Sequence, residues 1–202
     1  MTTFSDKQQE RYIKLYDFIF NHEDFYEIRL TSKYLFCVMM DYMELESDSE
    51  ESITIPHETL ANDLQMTGRS ITTLKNELKK HGLINETFMG IGKVTKISFN
   101  QDKINQYKDK NSILTYITLP RNVYEAGNLS ISSKVLYAFL LHQFKDSESE
   151  GVSLSNESIG KVLNVSLSKA RKTKKELVEQ GKITEQRRGY AQANTIYISE
   201  YN

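Results

Sequence analysis

The chain has 202 residues, with 26 Lys and Arg against 27 Asp and Glu, which gives a formal net charge of −1. Hydrophobic residues make up 39% of the sequence, a fraction that predicts a folded protein with a modest core and excludes a disordered chain. No apolar run approaches the ~20 residues that a membrane-spanning helix needs, and the N-terminus lacks the apolar stretch of a secretory signal. We therefore expect a cytoplasmic protein without a membrane span.

The reactive side chains give no indication of a metal or cofactor site. Cys37 is the single cysteine and lies in an apolar run, which is typical of a buried small hydrophobic residue. The four histidines are scattered, without the His-x-x-x-His or Cys-x-x-Cys spacing of a zinc site. We expect neither a metal nor a cofactor.

The organising feature of the sequence is an internal repeat. Residues 53–99 align without a gap with residues 152–198, and ten pairs of residues in this window are identical. Upstream, residues 30–36 match residues 131–137. The offset between the copies is 101 residues here instead of 99, because the acidic loop in between is two residues longer in the first copy. The repeat predicts three parts, which are a first module at 1–100, a polar linker at 101–113 and a second module at 114–202.

Each copy predicts the same order of elements. In the first copy these are a strand at 12–15, a helix opened by Thr31 as N-cap, a strand at 52–55, a short helix at 57–64, a turn at 65–67, a helix at 67–81 and a hairpin at 84–99. In the second copy they are a strand at 116–119, a helix opened by Ser132, a strand at 152–154, a short helix at 156–163, a turn at 164–166, a helix at 166–180 and a hairpin at 183–198.

Two details of this pattern make further predictions. Leu35, Val38, Met39 and Tyr42 recur at helical spacing, which predicts that the first long helix buries one stripe. Gly82 and Gly181 follow the last long helix of each copy, where a glycine favours a left-handed C-cap.

This order of elements is typical of a winged helix-turn-helix, in which the second helix of the pair enters the major groove of DNA. The predicted fold class is α+β, mainly α, with two tandem winged helix-turn-helix modules that form an internal pseudo-dimer. The alternative is that the helix-turn-helix is only a scaffold or serves protein contacts.

The outer faces of the two predicted recognition helices carry the candidate DNA-binding residues. Ile71, Leu74 and Leu78 share one face, so the 100° helical step puts polar residues on the opposite face. These are Arg69, Thr72, Thr73, Asn76 and Lys80 in the first copy, and Ser168, Lys169, Arg171, Lys172 and Lys175 in the second. Arg suits guanine and Asn suits adenine, while Thr and Lys can contact phosphates or base edges.

The charge is concentrated around these helices. Residues 67–94 have five basic and two acidic residues, a net charge of +3, and residues 166–193 have eight and three, a net charge of +5. The hairpin tips add Lys93 in the first copy and Arg187 and Arg188 in the second, where a wing can contact phosphate or the minor groove. A charge run alone is typical of a solvated face, but its recurrence on the helix that this fold uses for DNA favours double-stranded DNA as the partner.

The overall charge of −1 is the sum of two unlike halves. Residues 1–100 carry 11 basic and 16 acidic residues, a net charge of −5, and residues 101–202 carry 15 and 11, a net charge of +4. Two modules in one chain can imitate a symmetric dimer, so we expect a monomer with internal pseudo-two-fold symmetry. Because the two outer faces differ, the expected target is an imperfect inverted repeat.

The first copy resembles the N-terminal winged-helix domain of the RepA-type replication initiators of Gram-positive plasmids. The residues that carry the resemblance are those at 12–15, 30–36, 40–43, 77–84 and 90–93, and the second copy keeps those at 119–121 and 133–137. These are mainly core and turn positions. The chain departs from the initiators in having a second winged helix where they have other C-terminal regions.

A compact chain of two fused winged helices is also similar to the TraN proteins of conjugation in Gram-positive plasmids. That resemblance implies a DNA-binding transfer-region regulator or repressor, or a relaxosome accessory factor. The alternatives are a plasmid replication initiator and a protein-interaction adaptor that does not bind DNA, for which the acidic loop at 44–51 is a candidate contact.

Catalysis is not expected. The segment Gly90-Ile-Gly-Lys93 lacks the spacing of a phosphate-binding loop and lies in a predicted hairpin rather than before a helix. A relaxase needs clustered histidine metal ligands beside a tyrosine nucleophile, and the sequence has no such cluster.

Overall fold

The computed structural model describes residues 12–46, 52–90, 94–146, 151–186 and 193–199. The chain divides into two compact units, residues 14–116 and residues 117–202, and the second also takes in the residues up to Ile13. We call them the first unit and the second unit. Each contains helices and a three-stranded antiparallel sheet, so the predicted α+β class is confirmed.

The first unit is built around one long central helix. From Tyr12 to Asn105 the chain forms β1 (Tyr12–Tyr16), α1 (Asp17–Asn21), a 3-10 turn (Glu23–Phe25), α2 (Leu30–Glu46), β2 (Ser52–Thr54), α3 (His57–Asp63), α4 (Gly68–Lys80), β3 (Ile84–Thr87), β4 (Lys96–Phe99) and α5 (Gln101–Asn105). The sheet has β4 in the centre, between β2 and β3.

The central helix α2 is buried more completely than its sequence pattern predicts. Every residue from Tyr34 to Met40 is at most 5% exposed, because α1, α4 and β2 pack around the helix. The prediction of a single buried stripe along Leu35, Val38 and Met39 was therefore too narrow. A helix that is apolar on all sides belongs to the interior of a domain.

The second unit repeats this plan. Its elements are β5 (Tyr116–Pro120), α6 (Arg121–Tyr124), α7 (Ile131–Asp146), β6 (Val152–Ser153), α8 (Asn156–Leu163), α9 (Leu167–Glu179), β7 (Ile183–Gln186) and β8 (Thr195–Ile198). The strand β8 lies between β6 and β7.

The two sheets share one register. Ile53 faces Ile97 in the first sheet, and Val152 faces Ile196 in the second, so both partners are displaced by 99 residues. Since a slip of one residue would turn every side chain to the opposite face, an identical register means that the same positions face the two cores. The internal repeat of the sequence is thus a repeat of structure.

The predicted N-caps of the two long helices were wrong. Thr31 and Ser132 lie in the first turns of α2 and α7, because α2 begins at Leu30 and α7 at Ile131. The carbonyls of Arg29 and Ser130 accept the first helical N–H bonds, and the Ser130 Oγ also accepts from the Ser133 N–H at 3.3 Å. Thr31 and Ser132 each lie one position after the first residue of their helix.

Both units bury a lysine beneath the start of the long helix. The Lys33 Nζ donates to the Phe20 carbonyl at 3.4 Å, and the Lys134 Nζ donates to the Tyr124 carbonyl at 2.6 Å. Burial lowers the pKa of Lys33 to about 8 and also lowers the pKa of Lys134. Each ammonium lies at the C-terminal end of the preceding short helix, where the helix dipole favours a cation.

The segment that the sequence predicts as a polar linker, 101–113, contains the helix α5 and packs within the first unit. Ile104 is 1% exposed, and the Tyr107 ring stacks on the Phe18 ring with centroids 5.0 Å apart. The Tyr107 hydroxyl donates to the Asp24 carboxylate at 2.6 Å. These contacts attach α5 and the turn after it to the first unit.

Among the described residues there is no helix with the length and apolar character needed to cross a bilayer. The same residues contain no group of three or more His, Cys, Asp or Glu that could hold a metal ion.

Candidate nucleic-acid interface

The two helices predicted to contact DNA, α4 and α9, begin in the same way. The Thr67 Oγ1 accepts from the Ser70 N–H at 3.2 Å, and the Ser166 Oγ accepts from the Lys169 N–H at 3.3 Å. A hydroxyl that accepts from the third helical residue is the usual N-cap, and it fixes where the helix starts. The start points of both helices are therefore set by local sequence.

Glycines end the two helices. Gly82 and Gly181 both have a φ of +66°, which is the left-handed conformation that an L side chain adopts only at a cost. The predicted left-handed C-caps are confirmed at both positions. Two residues after each glycine the chain enters the first strand of the hairpin.

A carboxylate on α4 ties this helix to the start of the central helix α2. The Glu77 carboxylate accepts from the Arg29 backbone N–H at 3.3 Å, from the Arg29 Nε at 2.9 Å and from the Ser32 hydroxyl. Burial of the Glu77 carboxyl opposes its ionisation, but the hydrogen bonds from Ser32 and Arg29 outweigh this effect and lower its pKa. The ionised carboxylate caps the N-terminus of α2 from another helix.

The second unit has the same connection. The Glu176 carboxylate on α9 accepts from the Ser130 N–H at 2.5 Å and from the Ser130 hydroxyl at 2.9 Å. Despite the opposing effect of burial, the hydrogen bonds from Ser130 lower the pKa of Glu176. Glu77 and Glu176 are one of the identical pairs of the repeat, and both hold the helix against the core.

An ion pair joins each of these helices to its hairpin. The Lys75 Nζ lies 2.5 Å from the Glu86 Oε1, and the Lys75 side chain is 6% exposed. The equivalent Lys174 pairs with Glu185 in the second unit. Together with the glutamate caps, these pairs fix both helices rigidly on two sides, which is the support that a precise binding surface needs.

The outer face of α4 presents the predicted polar residues to solvent. All five are exposed, namely Arg69, Thr72, Thr73, Asn76 and Lys80. The Thr72 and Thr73 hydroxyls donate to the carbonyls of Gly68 and Arg69 at 3.1 and 3.0 Å, so their oxygens remain as acceptors. The helix thus brings the five predicted residues together on one surface with mixed hydrogen-bonding capacity.

The outer face of α9 is more cationic. Ser168, Arg171, Lys172 and Lys175 are exposed, and Lys169 is half-buried. Lys175 forms an ion pair with Glu179 at 3.2 Å, but both side chains are more than half exposed, so the pair contributes little and is easily exchanged for another anion. The sequence predicts that Lys174 lies beside this face. In the structure this residue is buried, at 9% exposure, and its side chain pairs with Glu185 of the hairpin.

The residues predicted at the two hairpin tips are not among those that the structure describes. They are Lys93, Arg187 and Arg188. On the first hairpin, the described residues Phe88 and Met89 are 70% and 48% exposed. The first hairpin therefore presents apolar side chains directly after β3.

Sequence reasoning missed His57, which lies beside the exposed face of α4. Its Nε2 is 3.5 Å from the Thr72 Oγ1. Burial lowers the pKa of His57, and the nearby Lys75 lowers it further. The signal was absent because His57 begins the preceding helix, and its neighbour on α4 is fifteen positions away in sequence.

A separate cavity of about 460 Å³ occurs in the first unit. Met40, Met43 and Ile104 supply apolar lining, and its polar side includes the Glu44 carboxylate. That carboxylate already accepts from the Lys14 Nζ at 2.6 Å and from the Tyr16 hydroxyl at 2.7 Å. These three polar groups satisfy one another, and none of the residues that line the cavity belongs to α4.

The chain matches no protein-family model, and no curated protein matches it. Among solved structures it is similar to one described as the N-terminal domain of a DNA binding protein, at 16% sequence identity and a TM-score of 0.40, covering 57% of this chain and 98% of that chain. It is also similar to a chain from the structure of a Rep-DNA complex, at 18% identity and a TM-score of 0.40, covering 57% of this chain and 99% of the other.

Proposed function

We propose that this chain is a double-stranded DNA-binding protein in which each unit is a winged helix-turn-helix module. In this proposal α4 and α9 are the recognition helices and the two hairpins are the wings. The observation that carries it is the repeated design of the two helices. Each is fixed to the core by a glutamate and to its hairpin by a lysine, while its outer face presents polar and basic side chains to solvent.

The chemistry of the outer faces suits a duplex. Arg69 and Asn76 are side-chain types that read guanine and adenine through two hydrogen bonds each. Arg171 and Lys172 are exposed cations of the kind that contact phosphates. We propose that the two faces bind the two halves of an imperfect inverted repeat, since the equivalent residues differ.

The cellular role follows from the resemblances of the sequence and is part of the proposal. We propose a cytoplasmic protein of a plasmid or other mobile element that regulates or represses a transfer region or assists a relaxosome. The replication-initiator alternative is supported by the resemblance of each half to the N-terminal domain of the RepA-type initiators. We also propose that the chain is a binding protein and not an enzyme.

DNA binding is tested by measuring retention of a labelled duplex pool at 50 and 200 mM salt. A DNA binder loses affinity steeply as salt rises, because phosphate contacts release counterions. The variant Arg171→Ala/Lys172→Ala should bind more weakly than the wild type, while the charge-matched Lys108→Ala/Lys110→Ala should not. Absence of duplex binding by the wild type at 50 mM salt would overturn the proposal and favour the adaptor alternative.

The target is tested by selecting bound fragments from plasmid and chromosomal DNA and footprinting them. We expect protection of two unequal half-sites. A perfect palindrome with equal half-sites would contradict the imperfect repeat. Selection of fragments from a transfer region or from a replication origin would distinguish the two roles.

A further inference from the structure

We propose that the two units divide the work of DNA recognition, so that α4 discriminates sequence and the second unit supplies most of the sequence-independent affinity. This inference rests on the proposed function, because it assigns different tasks to two surfaces that both contact DNA. It makes Arg69 and Asn76 the specificity-determining residues, and Arg171 and Lys172 the main phosphate contacts.

The first observation is a change of chemistry at equivalent exposed positions. The repeat aligns Thr72 with Arg171, Thr73 with Lys172, and Asn76 with Lys175. All six side chains are exposed. Three neutral side chains on α4 thus correspond to three cationic side chains on α9. Cationic side chains bind phosphates independently of base sequence, and neutral ones do so much less.

The second observation concerns the readiness of α4 to read bases. Neither Asn76 nor Arg69 has a side-chain hydrogen bond or ion pair with any residue that the structure describes. A base edge therefore displaces no protein partner on either side chain. The Thr72 and Thr73 hydroxyls, which already donate to the helix, remain able to accept from a base amino group or to contact a thymine methyl.

The third observation is the charge that surrounds each helix. The window of residues 67–94 around α4 carries a net charge of +3 and the equivalent window of residues 166–193 around α9 carries +5, within halves of the sequence whose net charges are −5 and +4. A phosphate near α4 gains less from the field of its surroundings than one near α9. The first unit is therefore poorly suited to hold DNA through charge alone, and its contacts favour a matching sequence over an arbitrary one.

The wings extend the same difference. The exposed Phe88 and Met89 of the first hairpin align in sequence with Arg187 and Arg188. Apolar side chains at these positions give the first wing no phosphate contact there. Helix and wing of the first unit thus both lack cations where the second copy of the sequence has them.

The division is tested with two duplexes of equal length, one selected for tight binding by the wild-type chain and one with the same bases shuffled. Affinities for both are measured over a range of salt concentrations. The variants are Asn76→Ala, with Asn105→Ala as an exposed asparagine control, and Arg171→Ala/Lys172→Ala, with Lys108→Ala/Lys110→Ala as a charge-matched control. Thermal unfolding of each variant checks that these exposed substitutions leave the fold intact.

The two variants should fail in different ways. Asn76→Ala should reduce the ratio of selected to shuffled affinity about tenfold, which is the discrimination of one bidentate base contact, and should leave the salt dependence unchanged. Arg171→Ala/Lys172→Ala should weaken both duplexes by the same factor and reduce the salt slope by about 2, since each lost phosphate contact removes about 0.9.

The outcomes separate the two proposals. If the wild type binds neither duplex, the proposed function fails and the division fails with it. If the wild type binds but Asn76→Ala leaves the affinity ratio unchanged, or Arg171→Ala/Lys172→Ala lowers it, DNA binding stands and the division is wrong. Equal affinity of the wild type for the two duplexes would also overturn the division alone.

Discussion

Replacing Glu77 by alanine removes the carboxylate that joins α4 to the start of α2. The Glu77 side chain is 16% exposed and accepts three hydrogen bonds, one of them from the fully buried Ser32. The substitution leaves the Ser32 hydroxyl and the Arg29 N–H without this acceptor. Because both groups belong to the N-terminus of the central helix, the loss acts on the whole first unit.

The magnitude follows from the individual contacts. Loss of a helix cap costs about 1 kcal/mol, and loss of a hydrogen bond from a buried hydroxyl to a charged group costs about 1.5 to 3 kcal/mol. The Arg29 ion pair adds little, because the Arg29 side chain is 55% exposed and solvent screens it. We therefore expect Glu77→Ala to destabilise the first unit by about 3 kcal/mol.

The measurement is urea unfolding followed by circular dichroism, with Glu27→Ala as the control. Glu27 is exposed, so its replacement should change the free energy of unfolding by less than about 0.5 kcal/mol. The repeat supplies a second test, since Glu176→Ala should destabilise the second unit similarly. A change for Glu77→Ala no larger than that of the control would refute the capping role.

The effect also has a defined pH dependence. Because the pKa of Glu77 is lower in the folded chain than its ordinary value of about 4.3, the unfolded chain binds more protons between these two values. The stabilisation is complete above the unfolded-state pKa and is lost as the pH falls through the folded-state pKa. The difference in stability between the wild type and Glu77→Ala should therefore shrink below about pH 4.3.

Three further predictions concern the stability of the first unit. Lys75→Met should destabilise the first unit by about 3 kcal/mol in urea unfolding, because it leaves Glu86 half-buried with only Lys79 as partner; unchanged stability would contradict this. Gly82→Ala should cost about 1 kcal/mol through its positive φ alone, since nothing lies within 4 Å of an added Cβ, whereas Gly68→Ala within α4 should be neutral or stabilising. Stability should rise as the pH increases from about 8 to about 10.4, because the folded-state pKa of Lys33 is lowered to about 8; Lys33→Met should reduce this rise, and an unchanged profile would argue against it.

Much of the local structure followed from short stretches of sequence. The bounds of α4 are set by the Thr67 cap and by Gly82, and those of α9 by Ser166 and Gly181, all of which act on backbone groups within a few residues. The exposed face of α4 followed from the helical step, because Ile71, Leu74 and Leu78 leave only one side of the helix polar. These features need no information about distant parts of the chain.

Other features depended on contacts between residues far apart in sequence. The Glu77 and Glu176 carboxylates, 48 and 46 positions away, accept from the N-termini of α2 and α7, and the local hydroxyl that caps α7 is Ser130 and not the predicted Ser132. Lys174 and Lys175 are adjacent in sequence, but only the first lies where it can reach Glu185. A lysine's charge is visible in the sequence, whereas its partner is not.

The sequence by itself determined that the chain contains two copies of one α+β module, with a polar or basic outer face on the last long helix of each. It did so because hydrophobic periodicity, caps and glycines act over a few residues. Only the tertiary structure decided that α2 is enclosed on every side, that α5 packs within the first unit, and which lysines stabilise the helices and which remain exposed. Burial and ion pairing depend on the elements that surround a residue, and the chain brings those together only when it folds.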